Sequence, residues 1–168
     1  LASPGLAAEG SISGEARVTG PVGEPSARFR VEGSGLRVVN PNTRGLPAAR
    51  IVLEGTASAK AAELRLEASA GAALRATGSA RLPGGFAGNA PLTAQLDANA
   101  DVGVIAGPLL AAGAQRVSGR ATLRASVTGT VGAPQATGRL SLANGSFRDL
   151  AQGVTLTGIV AELRGEGD

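Results

Sequence analysis

The sequence of 168 residues has no cysteine, histidine, methionine, tryptophan or tyrosine, and its aromatic content is three phenylalanines. Without Cys or His, zinc-type metal sites and the common nucleophile–base triads cannot be assembled from this chain. The lack of cysteine is also compatible with an oxidising bacterial envelope, where stray thiols are a hazard. Large rings normally dominate core packing area. Here Ala, Leu and Val carry the apolar surface, so that surface is smooth and shallow. Long hydrophobic runs are missing too. The longest, from Val102 to Ala114, is interrupted by Pro108 and falls short of the roughly 20 residues a bilayer-spanning helix needs. No charged segment followed by an apolar stretch marks a signal peptide, and the first residue is Leu1, so the chain reads as a fragment of something longer. No Gly-x-Ser-x-Gly elbow occurs, and the sole lysine, Lys60, lies in no phosphate-binding loop.

What is present is alternation. Val117, Gly119, Ala121, Leu123, Ala125, Val127, Gly129 and Val131 interleave with Ser118, Arg120, Thr122, Arg124, Ser126, Thr128 and Thr130. Period-two spacing puts successive side chains on opposite faces of a pleated strand. The segment therefore predicts a long, half-buried strand, not a helix. The same pattern runs through Ile12–Val18, Ala49–Ala57, Leu64–Ala70, Leu74–Leu82 and Leu92–Ala100, with Val52 the one residue that spoils its set. One apolar and one solvated face is the ordinary signature of antiparallel sheets. Gly and Pro, 26 and 9 residues, stay below the level at which disorder becomes the better reading.

Turn signals at Pro21–Pro25, Asn40–Pro47, Gly71, Pro83–Pro91 and Val131–Pro134 divide the chain into about ten or eleven strand-sized pieces. Asn144–Gly145 predicts a two-residue hairpin turn, because both residues of such a turn take positive φ, with Ser146 starting the next strand. The stretch from Asp101 to Ala112 is the one helix candidate, weakened by Pro108. There is also an internal echo. Val18 to Ala27 matches Val127 to Ala136 at seven of ten positions, at an offset of 109 residues. Repeated strand units that need neighbours to shield an inner face are how elongated sheets grow.

The net charge is +3 with a pI near 10.9, and every cation except Lys60 is arginine. These arginines fall singly across many strands beside Ser, Thr and Glu, and stacking rings are almost absent. That favours a solvated outer face over a nucleic-acid site. Asp97, Asn99 and Asp101 imitate the start of a calcium loop. The match fails at Val102, where the loop needs Gly, and at Pro108, where it needs Glu, so the three read as polar positions of a strand. Asn144-Gly145-Ser146 matches a glycosylation sequon that the expected turn already explains. Phe29 and Phe147 sit in alternating runs as inward residues, and Phe86 lies in a loop where it could plug an end of the sheet. The acid–base residues are scattered on the wet face, so no enzyme, metal or cofactor is expected.

The order of motifs has a likeness. The strand Val117 to Thr130, the turn through Gly132-Ala133-Pro134, the strand Gly138-Arg139-Leu140-Ser141-Leu142 and the run Gly153 to Ile159 resemble the C-terminal part of the translocation and assembly module family, the TamB proteins of the AsmA-like bridge-forming lipid-transfer group. The match is clearest over residues 116–164, with a second pass near 12–36, inside one elongated unit covering 1–168. The resemblance implies a long, strongly curved, taco-like sheet, largely antiparallel or mixed, around a hydrophobic inner groove. It further implies a periplasmic protein anchored in the inner membrane, with an outer-membrane assembly partner of the TamA type. The roles attached to the family are moving phospholipid between membranes and assisting assembly of outer-membrane proteins.

The residue pattern independently supports a groove, because Ala, Gly and Leu rows leave room for phospholipid acyl chains. The expected lining begins with Ile12, Val18, Phe29 and Val31, then Ile51, Leu53, Leu64 and Leu66. It continues through Leu74, Leu82, Leu92 and Leu96, then Val117, Leu123, Val127 and Val131, and ends with Leu140, Leu142, Phe147, Val154 and Leu156. Two other readings use the same residues. One is a closed β-solenoid or adhesin stalk filled by its own side chains, and the other is an exposed strand edge that captures outer-membrane strands by β-augmentation.

Overall fold

A computed structural model describes residues 7–39, 45–110 and 114–167. Nine strands follow in order: β1 (Ala7–Thr19), β2 (Ser26–Val39), β3 (Ala49–Ser58), β4 (Ala61–Ala70), β5 (Leu74–Pro83), β6 (Thr93–Asp101), β7 (Gln115–Thr130), β8 (Ala133–Asp149) and β9 (Val154–Glu166). They form one sheet in sequence order, every neighbour antiparallel, with β1 and β9 at its two edges. The all-β expectation holds, with nine strands in place of ten or eleven. The expected breaks at Pro21–Pro25, Gly71, Pro83–Pro91 and Val131–Pro134 fall at connections of this meander, while Asn40 to Arg44 of the remaining one lie outside the described residues.

One helix, α1 (Val102–Leu110), interrupts the meander between β6 and β7 and packs against β7. Its start is a capped N-terminus: the Val104 amide donates to Asp101 Oδ1 at 3.1 Å, which satisfies one of the free N–H groups of the first turn. Pro108 sits within the helix, two residues before its end. No helix among the described residues is long and apolar enough to cross a membrane.

The expected hairpin at Asn144–Gly145 is not formed. β8 runs straight through both residues, and the pairing with β7 skips from Ser118↔Ser146 to Arg120↔Ala143, which leaves one extra residue on β8. This is a β-bulge, and Asn144 takes its positive φ of 51° there instead of in a turn. The sequence carries the reason. Leu140 and Leu142 hold one parity and Phe147 the other, so one inserted residue is what returns Phe147 to the face of Leu142. β2 does the same at Gly35, between Gly33 and Leu36, and β9 at Gly158, between Leu156 and Ile159. A parity switch inside an alternating run has two meanings, a turn or a bulge, and here it means a bulge three times.

The internal echo is a structural repeat. At the 109-residue offset, Arg17↔Arg28 and Val18↔Ala27 of the β1–β2 hairpin correspond to Ser126↔Thr137 and Val127↔Ala136 of the β7–β8 hairpin. The turn glycines Gly20 and Gly129 have φ of 100° and 98°, and a Cβ on either would meet the carbonyl oxygen of Glu24 or Ala133 at 2.7 or 2.6 Å. The bulges align as well, Gly10 with Gly119 and Gly35 with Asn144. Two hairpins thus share strand register, turn and bulge.

The turn from β8 to β9 is held by Asp149, which is buried at 7% exposure. Its Oδ1 accepts from the amides of Ala151 and Gln152 at 2.9 and 3.0 Å, and its Oδ2 accepts from Gln115 Nε2 at 3.2 Å. The Gln152 amide first, then the Gln115 side chain and the Ala151 amide, hold this carboxyl below the usual range against the opposing effect of burial. A depressed folded pKa adds stability above the ordinary carboxylate value and loses it as pH falls through the folded one. Asp149→Asn is therefore expected to lower the melting temperature at pH 7. The gap from the parent narrows in thermal scans taken below the ordinary carboxylate range, as the parent carboxylate begins to protonate.

Candidate functional site

The register brings most apolar residues of the nine strands onto one face in continuous rows across the sheet. One row reads Ile12, Gly33, Ile51, Ala68, Ala76, Ala98, Leu123, Leu140 and Leu163, each directly opposite the next. Its neighbour reads Gly14, Val31, Leu53, Leu66, Gly78, Leu96, Ala125, Gly138 and Gly165. No polar side chain interrupts either row. Shorter rows flank them: Phe29, Leu64 and Val127 fall in one, Val18 and Leu82 in a second, Leu74 and Leu142 in a third, and Val117, Phe147 and Leu156 in a fourth. Directly opposed side chains lie about 5 Å apart, so each row is a contiguous apolar track.

Three residues of the expected lining stand outside these rows. Leu92 precedes β6 on the same parity as Ala94, and its amide donates to the Gly129 carbonyl at 2.9 Å. Val131 lies in the turn after β7, its amide bonded to the Ala90 carbonyl. Val154 is opposite Asp149, which is opposite Gln115, so it sits where the apolar face gives way to polar residues. Phe86 is 61% exposed in its loop and plugs nothing among the described residues.

The face has no second layer among the described residues, which comprise this sheet and one short helix. The exposed apolar side chains show it: Ile12 and Val18 on β1 and Leu163 on β9 are at least two-thirds exposed, Leu140 on β8 and Ile51 on β3 are still 43% and 39% exposed, and Leu53, Leu66, Leu96 and Leu123 of the central strands are half-buried. The buried apolar residues are few and mostly small, Val52, Ala62, Ala70, Ala73, Leu82 and Ala90. In a two-layer protein such rows would interdigitate with a partner sheet at crystal-like density.

The opposite face is polar by the same register. Glu32 links Arg30 and Arg50 at 3.7 and 2.8 Å, and Glu54 pairs with Arg30 at 2.7 Å. Val52, the residue out of pattern, is 5% exposed between Glu32 and Glu67 on this face and lines a small hollow with Arg30, Arg50 and Arg65, whose aliphatic stems can cover it. Asp97, Asn99 and Asp101 take up structural work. Asp97 pairs with Arg124 at 3.6 Å, Asn99 accepts from Thr122 at 3.3 Å, and Asp101 caps α1. No group of metal-ligating side chains occurs among the described residues. A cavity of about 640 Å³ opens across β1 to β5, lined by charged and polar residues of this face together with Ala16, Phe29, Gly55, Leu64 and Ala80 of the row between them.

Among the described residues, these features define an open antiparallel β-sheet protein with one continuous apolar face that no second sheet covers. Comparisons with protein-family models, with curated proteins and with solved structures found no match to this chain.

Proposed function

We propose that this chain is a lipid-conducting segment of a TamB-like periplasmic protein, whose apolar sheet face shields phospholipid acyl chains on their way between inner and outer membranes. The observation that carries the reading is the pair of unbroken apolar rows crossing all nine strands, with no second sheet among the described residues to cover them. Burying an acyl methylene is worth about 0.8 kcal/mol, so about ten methylenes laid on such a track gain about 8 kcal/mol over water. Successive strands offer nearly the same surface of Ala, Gly and Leu, so a chain slides along without giving that gain back. The conduction is passive and uses no catalytic residue. In this reading the longer protein is anchored in the inner membrane and meets an outer-membrane partner of the TamA type.

A second role is favoured by the two edges. β1 and β9 are each 13 residues long and have no neighbour on their outer sides among the described residues. Long open edges are templates for strand addition, which supports assistance to outer-membrane strands by the same sheet. The uniformly antiparallel meander favours either role over a closed solenoid stalk.

Photo-crosslinking probes at Leu123 and Arg124 test the lipid reading, since the two side chains are adjacent in sequence and on opposite faces. Phospholipid attached in cells at position 123 and absent at 124 is the expected result. Lipid at both positions, or at neither, sinks it.

A further inference from the structure

The cavity of about 640 Å³ across β1 to β5 has a composition that the lipid reading does not use. Its volume falls within the usual range for small-molecule sites, about 300–1,000 Å³. Five arginines line it, Arg17, Arg28, Arg30, Arg65 and Arg81, against the three carboxylates Glu15, Glu54 and Glu63. The lining therefore carries a net positive charge. Arg30 is neutralised by Glu54 at 2.7 Å, and Arg81 faces Glu63 at 3.7 Å. Arg17, Arg28 and Arg65 make no ion pair among the described residues.

Arg17 and Arg28 are directly opposite each other across the β1–β2 ladder. Like charges at opposed positions destabilise a sheet. The repeat supplies the internal reference: the equivalent pair in the β7–β8 hairpin is Ser126 and Thr137, whose hydroxyls hydrogen-bond at 2.8 Å. The hairpin geometry is thus satisfied by a neutral pair, and two arginines at opposed positions are a departure that this hairpin's folding does not require, though arginines also oppose each other at Arg116↔Arg148, Arg124↔Arg139 and Arg139↔Arg164. An anion lying between them removes the repulsion. Guanidinium is planar and presents parallel N–H donors, which matches phosphate in a bidentate way.

We propose that this cavity binds a phosphate-bearing ligand through Arg17 and Arg28, with Arg65 completing the site. Its phosphate-binding groups are side chains of the polar parity, so the site does not depend on what the apolar face carries. Its phosphate comes either from a soluble compound or from the headgroup of a phospholipid presented to the polar face.

The test uses pyrophosphate in calorimetric titrations, and phosphatidylglycerol-containing vesicles in sedimentation, as the two probes. The variant Arg17→Ser/Arg28→Thr installs the neutral pair of the repeat, so its unfolding temperature is expected to equal or exceed that of the parent. The control is Arg116→Ser/Arg148→Ser, which removes another pair of directly opposed arginines, on β7 and β8, outside the cavity. The expected result is a saturable site weakened by about tenfold or more in the first variant and unchanged in the control. Pyrophosphate binding alone identifies a soluble ligand, and vesicle binding identifies a headgroup. Binding of neither probe, or an equal loss in both variants, overturns the proposal, the second because it shows only diffuse positive charge.

Discussion

Leu123→Asp is expected to strip bound phospholipid from the protein, while Arg124→Asp leaves it in place. Leu123 lies between Ala98 and Leu140 in the row that crosses the whole sheet, so a carboxylate there interrupts the track at one strand and leaves it intact on either side. A charge on a lipid-facing strand position costs on the order of 2 kcal/mol, which is roughly thirtyfold in occupancy. Arg124 is on the solvated face, where it pairs with Asp97 at 3.6 Å with both side chains more than half exposed. Pairs of that kind contribute about 0–1 kcal/mol, so the neighbouring substitution tests the face and not the strand. Mass spectrometry of co-purified lipid reads both variants. Equal lipid content in the two overturns the assignment of the apolar face, and circular dichroism shows whether either has lost the sheet.

The largest stability effect is expected at Gly55. It stands opposite Phe29 on β2 and Leu64 on β4, in the middle of the sheet's β2–β4 ladder. A Cβ at this position would lie 2.4 Å from the Glu63 carbonyl oxygen, 2.9 Å from Leu64 Cδ2 and 3.3 Å from Phe29 Cζ. The first of these atoms is backbone and cannot rotate away, so β3 and β4 must separate where they are hydrogen-bonded. Overpacking of this kind costs about 3 kcal/mol, and Gly55→Val is expected to lower the melting temperature by about 10 °C. Gly23 in the β1–β2 turn would have nothing within 4 Å of an added Cβ and is the matched control. Gly23→Val is expected to stay within about 0.5 kcal/mol of the parent. A similar loss for both would mean that close approach does not set the effect.

The lining residues read from alternation fall into shared rows with few exceptions because alternation belongs to the strand itself. A residue two positions along is on the same face whatever the neighbouring strand does, so Leu64 and Leu66 sort to one face, and Glu63 and Arg65 to the other, from the chain alone. Asn144–Gly145 is ambiguous for a related reason. Positive φ serves a hairpin turn and a bulge equally well, and only the partner strand, through Ser118 and Arg120, shows that β8 continues. Val52 breaks the pattern of its strand because what surrounds it comes from other parts of the chain, Glu32 and Arg30 on β2 and Glu67 and Arg65 on β4.

The apposed arginines leave one signal in the sequence. The echo between residues 18–27 and 127–136 extends one step outward at each end to Arg17 and Arg28, where the other copy has Ser126 and Thr137. Comparing the copies beyond their matching core draws attention to that charged pair. Its opposition across a ladder, and the cavity beside it, require the hairpin register and three further strands.

By itself, the sequence determined that the chain is a sheet protein with one wet and one apolar face, since period-two alternation is a local property written in every strand. Tertiary structure alone decided that all nine strands share one open sheet, that three parity switches are bulges, and that five arginines gather around one hollow. Those outcomes depend on which strand lies beside which and in what register, and hydrogen bonds between segments far apart in the chain set both.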